Sequence, residues 1–341
     1  MRISIDDFLR QGSEIAALKA QLDRGQMVHA TLIAGEEGLG KKTLAGLAAQ
    51  ALLCKSEGRR PCGFCRDCVL AEKEEHPDLT VIRRKFAEGG EKTGKLRSVI
   101  PIDDIRDMIR QCGVSTLDGG NRVVIITEAD RMTAQAQNCL LKTLEEPPDR
   151  TFFLLVSDHP EALLSTVISR CRMVRLHPWD DVTVLRVLKD IGTAPERARA
   201  AADSAGGSIG RAVKLAGDEE YWQRREEVIK IFFRSRERSE IAAISNEWKD
   251  RRGEGEEMLN ILENLDRDML LVRLGRKKPE TLSELPANWR RFAMDAPQER
   301  FAALSDGISL ARKQLAASVN FQAVLEQLLF NYMGEGLKWR E

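Results

Sequence analysis

Ala30-Thr31-Leu32-Ile33-Ala34-Gly35-Glu36-Glu37-Gly38-Leu39-Gly40-Lys41-Lys42-Thr43 is the stretch whose reading decides the fold. Its first five residues read as a buried strand. A turn with three glycines follows, and then Leu44, Leu47, Ala48, Ala51 and Leu52 recur at helical spacing. A glycine-rich loop between a strand and a helix lets backbone N–H groups point at a phosphate, and the helix N-terminus adds partial positive charge. Lys41 falls where a loop lysine reaches the β- and γ-phosphates. Gly35, Gly38, Gly40, Lys41 and Thr43 are therefore the expected nucleotide-loop residues.

Outward from this loop, short apolar runs alternate with helical stretches from about Met27 to Pro178. Strands are expected at Leu79–Ile82, Arg122–Ile126, Thr151–Val156 and Met173–Leu176. Helices fit Ile102–Cys112 and Thr133–Glu146, the latter stopped by Pro147-Pro148. Strand and helix in alternation imply a mainly parallel sheet covered on both faces, an α/β domain. The stretch Lys85–Lys95 is polar and glycine-containing and reads as an exposed, mobile loop. After Pro178 the strand signals stop. Val182, Leu185 and Leu188 share an expected helical face, and Ala194–Ala216 reads as two short helices broken at Gly206-Gly207. From about Asp218 onward, charged and apolar residues alternate at helical spacing. The expected division is 1–178, 179–217 and 218–341: a phosphate-loop α/β domain, a small helical domain and an all-α C-terminal domain.

The loop departs from the hydrolytic pattern in two places. Ser or Thr is needed directly after the lysine, because that hydroxyl ligates Mg²⁺. Lys42 stands there, and an ammonium repels a cation. Thr43 follows, but one helical step turns it about 100° away. The second magnesium residue is expected after the strand Arg122–Ile126, where the chain has Thr127, with Glu128 retained next to it. Mg²⁺ neutralises the charge that develops in phosphoryl transfer, so ATP hydrolysis in cis is not expected. The alternative is that Asp130 or Thr43 substitutes as ligand. Binding of nucleotide without hydrolysis is left open by the intact glycines and Lys41, although Glu36 and Glu37 disfavour a triphosphate.

Seven cysteines are present, and four lie close together: Cys54, Cys62, Cys65 and Cys68, in a C-x7-C-x2-C-x2-C arrangement. Two-residue gaps let thiolates converge on one tetrahedral ion. Four sulfurs close the shell to water and substrate, so the expected Zn²⁺ over 54–68 is structural and supplies folding energy to a short insert. Cys112, Cys139 and Cys171 sit in apolar or helical contexts and read as ordinary buried thiols.

The 341 residues allow two or three domains, and 43% hydrophobic content is enough for real cores. With 53 basic and 53 acidic residues the formal charge is zero, which argues against a protein that coats nucleic acid by bulk electrostatics. No secretory signal or membrane-length apolar run is read, so the expected location is the cytoplasm, away from membranes.

His29-Ala30-Thr31-Leu32, the phosphate loop, the cysteine cluster, Leu140-Leu141-Lys142-Thr143-Leu144-Glu145-Glu146-Pro147-Pro148 and Ser169-Arg170-Cys171 occur in that order. Together they resemble the bacterial DNA polymerase III clamp loader, an AAA+ assembly, and within it the delta-prime type rather than the ATP-hydrolysing gamma/tau type. The motifs span about residues 29–211 and end on Gly207-Ser208-Ile209-Gly210-Arg211, which is similar to the sensor-2 region. The resemblance implies a hetero-pentamer with gamma/tau and delta subunits, a part of the polymerase holoenzyme that uses ATP to open a sliding clamp and place it on primed DNA. It makes 218–341 the collar domain. It implies that Arg170, within Ser169-Arg170-Cys171, is a trans arginine finger for ATP held by a neighbour. Arg211 matches the sensor-2 position and Ser157 the sensor-1 position. An ordinary arginine at a helix end is solvated, so the role of Arg170 rests on the resemblance.

Two other readings compete. An ATP-hydrolysing gamma/tau-type motor subunit predicts Mg-dependent ATPase, against which Lys42 and Thr127 stand. A zinc-dependent nucleic-acid module needs a basic, aromatic-bearing surface. Lys55, Arg59, Arg60 and Arg66 are offset by Asp67, Glu72, Glu74 and Glu75, which makes a mixed solvated face the better reading.

Overall fold

The computed structural model describes residues 4–86, 97–114, 116, 119–234, 237 and 239–338. Most of the expected loop 85–95 lies outside them. The described chain forms two compact units, residues 1–191 with 207–211, and residues 192–206 with 212–341.

The first unit is built on five parallel strands: β1 (Ala30–Ala34), β2 (Leu79–Ile82), β3 (Arg122–Ile126), β4 (Thr151–Ser157) and β5 (Arg172–Arg175). Their order is β2-β3-β4-β1-β5, so the loop-bearing strand lies between β4 and β5. Ala34 is in register with Ser157 and with Arg175. β1 and β3 are buried at every residue, as continuous apolar runs in a sheet covered on both faces should be. The helices of this unit are α1 (Ser13–Arg24), α2 (Lys41–Leu53), α3 (Arg66–Glu72), α4 (Ile102–Cys112), α5 (Ala134–Glu145), α6 (Ser165–Ile168) and α7 (Asp181–Asp190). Ile105, Met108, Leu140 and Leu144 of α4 and α5 pack with Val124, Ile126, Phe153 and Leu155 in one core. The expected bounds hold to within a residue: Thr133 caps α5 by accepting from the Ala136 N–H, and Glu146 ends it.

One expectation fails. Val182 faces solvent at 71% exposure, and the buried side of α7 is Thr183, Val184 and Leu188. The physical reason is the cap. Asp180 accepts from the Thr183 N–H at 2.7 Å and from its hydroxyl at 3.0 Å, which turns Thr183 inward and Val182 out.

The second unit is helical throughout its described elements. It holds α8 (Pro195–Ala205) and most of α9 (Ile209–Gly217), the two helices expected on either side of Gly206-Gly207. α10 (Glu219–Ile229), α11 (Glu240–Trp248), α12 (Gly255–Arg273), α13 (Ala287–Asp295), α14 (Gln298–Ala316) and α15 (Phe321–Lys338) follow. Phe233, Trp289, Phe292 and Tyr332 stack edge-on or tilted at the centre of its core. The two units cut across the expected small domain 179–217, because α7 belongs with the sheet and α8 with the C-terminal helices. No helix among the described residues is long and apolar enough to cross a membrane.

Candidate functional site

The loop after β1 opens α2 and faces a cleft of about 720 Å³, within the usual range for a small-molecule pocket. Gly38, Gly40, Lys41, Lys42, Thr43 and Glu128 all line it. Gly38 has φ +80°, and a Cβ there would sit 2.2 Å from Ser208 Oγ. Only glycine fits this left-handed, crowded position. The segment Gly207–Arg211 braces the loop from outside. The Gly210 N–H donates to the Gly38 carbonyl at 2.8 Å, and Ser208 Oγ donates to the Glu37 carbonyl at 2.9 Å. Trp179 adds a third tie, from Nε1 to the Leu39 carbonyl at 2.9 Å.

Lys41, the lysine expected to meet a phosphate, is only 4% exposed. Its Nζ lies 2.6 Å from Asp158 Oδ1 and donates to the Glu36 carbonyl at 2.5 Å. A carboxylate of the same chain thus takes the charge a phosphate would take. Asp158 was missed in the sequence. It directly follows β4, and only the adjacency of β4 to β1 brings it to the loop.

The magnesium positions are also engaged otherwise. Lys42 is 3.5 Å from Glu74, and burial together with the nearby Arg83 lowers its pKa. The Thr127 hydroxyl donates to the Ile82 carbonyl at 3.1 Å. Glu128 adopts φ +55° and accepts from Arg84 Nε at 3.0 and 3.1 Å through its two oxygens. Asp130, one of the two substitute ligands considered, accepts from Ser157 Oγ at 2.8 Å and from the Asp158 N–H at 3.3 Å. Ser157, at the sensor-1 position, is spent in the same contact and is fully buried. Thr43 is exposed and lines the cleft. Arg211 is exposed and is not among the residues lining it.

The four cysteines do converge. Their sulfurs all lie within 4.8 Å of one another, with Cys54–Cys65 at 3.9 Å and Cys62–Cys68 at 3.8 Å. Sulfurs tetrahedrally arranged on one ion at a Zn–S distance of ~2.3 Å are spaced about 3.8 Å. The Cys65 N–H donates to Cys62 Sγ and the Cys68 N–H to Cys65 Sγ, each at 3.4 Å. These N–H···S bonds orient two ligands and cap α3. The backbone N–H groups of Phe64 and Cys65 hold the Cys62 thiol down to about 6, whereas burial pushes Cys65 and Cys68 up. The donor set could hold a metal ion. The remaining cysteines behave as core residues: Cys112 is buried against Met108, and burial pushes Cys171 up to about 12.

Arg170 lies just after α6, away from the cleft, with its side chain 32% exposed. Its Nε donates to Glu145 Oε1 at 2.8 Å, its Nη2 donates to the same oxygen, and its Nη1 donates to the Thr166 carbonyl at 2.8 Å.

Residues 10–180, half of the chain, match the family model described as DNA polymerase III, delta subunit. The chain is 28% identical over 313 residues to the DNA polymerase III subunit delta' of Bacillus subtilis, covering 90% of this chain and 92% of that one. It is 34% identical over 222 residues to the Escherichia coli delta' subunit, covering 64% and 63%. To the tau subunit of Escherichia coli it is 31% identical over 186 residues, covering 54% of this chain and 27% of that one.

Proposed function

The chain belongs to the DNA polymerase III delta-subunit family, and from that membership we propose that it is a delta-prime-like clamp-loader subunit that does not hydrolyse ATP itself. The observation on which this reading rests is the condition of the loop. Lys41 is neutralised by Asp158, while Lys42 and Thr127 stand where magnesium ligands are required. Braced by Gly207–Arg211, the loop serves as a rigid AAA+ scaffold. We divide the chain functionally into 1–178, a lid 179–217 and a collar 218–341, and assign Zn²⁺ to Cys54, Cys62, Cys65 and Cys68 as a structural ion. Its partners are gamma/tau and delta subunits in a hetero-pentamer, and through them a sliding clamp and primed DNA. The ATP-hydrolysing alternative is disfavoured by the same two side chains.

Arg170 is the residue that reaches chemistry, in trans. A guanidinium placed on the γ-phosphate of a neighbour's ATP spreads positive charge where the transition state needs it, and in other systems this is worth roughly 10³–10⁵ in rate. The test mixes the purified chain with gamma/tau and delta subunits. A stable complex should form, and the isolated chain should show no Mg-stimulated ATPase. Arg170→Ala should lower the ATPase of the complex, up to the share of the site it serves, without loss of assembly. Failure to associate removes the clamp-loader role. Turnover unchanged in Arg170→Ala removes the finger.

A further inference from the structure

We propose that Glu145 is a positioning residue for Arg170, holding the guanidinium ready for a phosphate outside the chain. This rests on the reading of Arg170 as a trans finger. Glu145 is the last residue of α5, and Arg170 follows α6, so the two are placed by separate helices 25 positions apart. The carboxylate takes one edge of the guanidinium, through Nε and Nη2, and the Thr166 carbonyl takes Nη1 from the other side. Charge-assisted bonds to a planar fork fix its orientation as well as its position. A guanidinium carries five N–H donors, and Nη2 keeps at least one that none of these contacts uses. The group is therefore pinned at its base while a third of the side chain remains open to solvent.

An arginine held this way loses little freedom when a phosphate arrives, because the rotamer has already been selected. An unpinned arginine must be ordered at the moment of binding. Ordering one flexible side chain changes an equilibrium by about three- to tenfold. Arg170 then meets the γ-phosphate by adding contacts, with Glu145 still behind it.

The experiment measures ATP hydrolysis by the complete complex reconstituted with wild-type chain, Glu145→Ala, Glu145→Gln, Arg170→Ala and the double variant Glu145→Ala/Arg170→Ala. Assembly is checked by size-exclusion chromatography. Glu145→Ala should slow the Arg170-dependent share of turnover about three- to tenfold, with the KM for ATP unchanged. Glu145→Gln, whose amide oxygen still accepts from Nε, should recover much of that loss. In the Arg170→Ala background Glu145→Ala should have no further effect, since the two act as one unit. An equal loss in both backgrounds overturns the positioning role, and so does a rise in turnover on removing Glu145, which would make it a competing latch. If Arg170→Ala itself leaves turnover unchanged, the finger reading has failed first and this inference falls with it.

Discussion

Asp158 and Lys41 form an ion pair whose two members are very differently exposed. The ammonium is almost fully buried at 4% exposure, whereas the Asp158 side chain is 41% exposed. A buried charge deprived of its partner is expensive, by about 1–3 kcal/mol or more for a charged group. Asp158→Asn should therefore lower stability by an amount of that order. The exposed Lys42 and the N-terminus of α2 are still present beside Lys41, so the vacated position favours an anion. Pyrophosphate at millimolar concentration should restore much of the lost stability in the variant and affect the wild-type chain little. Thermal unfolding with and without pyrophosphate measures both. Equal stabilisation of the two proteins would mean that Asp158 does not occupy the anion position.

At the scale of elements, the cysteine insert is a short segment whose four sulfurs could share one metal ion. α3 has seven residues, and its N-cap acceptor is the sulfur of Cys65. A helix that short has little stability of its own. Cys68→Ser should reduce bound zinc from one ion per chain to near zero and let the segment 54–73 open locally. Metal analysis reads the first effect. Limited trypsin digestion reads the second, as new cleavage at Arg59 and Arg66 while the sheet stays protected. Loss of zinc with unchanged protection would show that the insert is held by packing instead. Much of this element level was legible in the sequence, because β1, β2 and β3 are apolar runs with sharp ends and the cysteine spacing is short-range. β4 runs one residue beyond its expected end and β5 is shifted by one residue; the Leu176 N–H donates to the Ala34 carbonyl at 2.8 Å yet Leu176 lies beyond β5. Asp158 and the brace from Ser208 were not legible, because both depend on which distant elements lie beside the loop. Val182 was misread because a local cap, not the apolar pattern, sets the rotation of α7.

At the scale of the whole molecule, the second unit carries no motif, so its physical character comes from its core. That core encloses a carboxyl. Asp266, on α12, lies beneath the aromatic cluster, accepts from the Tyr332 hydroxyl at 2.6 Å, and has its Oδ1 buried without a hydrogen-bond partner among the described residues. Burial pushes its pKa up to about 8, the Tyr332 hydrogen bond pulls against that rise, and the nearby charge of Glu263 adds to it. In the unfolded chain the group titrates at its ordinary value near 4. Between those two values the folded unit keeps a proton that the unfolded chain releases. Stability contributed by this group is complete below about pH 4, falls by roughly tenfold in the folding equilibrium per pH unit as pH rises, and levels off above about 8. Asp266→Asn keeps an acceptor for Tyr332 and cannot ionise. Its stability relative to wild type should therefore be lowest near pH 4 and increase steadily to about pH 8. Asp268, also pushed up by burial to about 6, slopes the same way in both proteins and cancels in the difference. Denaturant unfolding followed by Trp222, Trp248 and Trp289 fluorescence at several pH values makes the comparison. Parallel pH dependences of the two proteins would show that Asp266 is ionised in the folded unit at neutral pH, with its charge compensated by some other group.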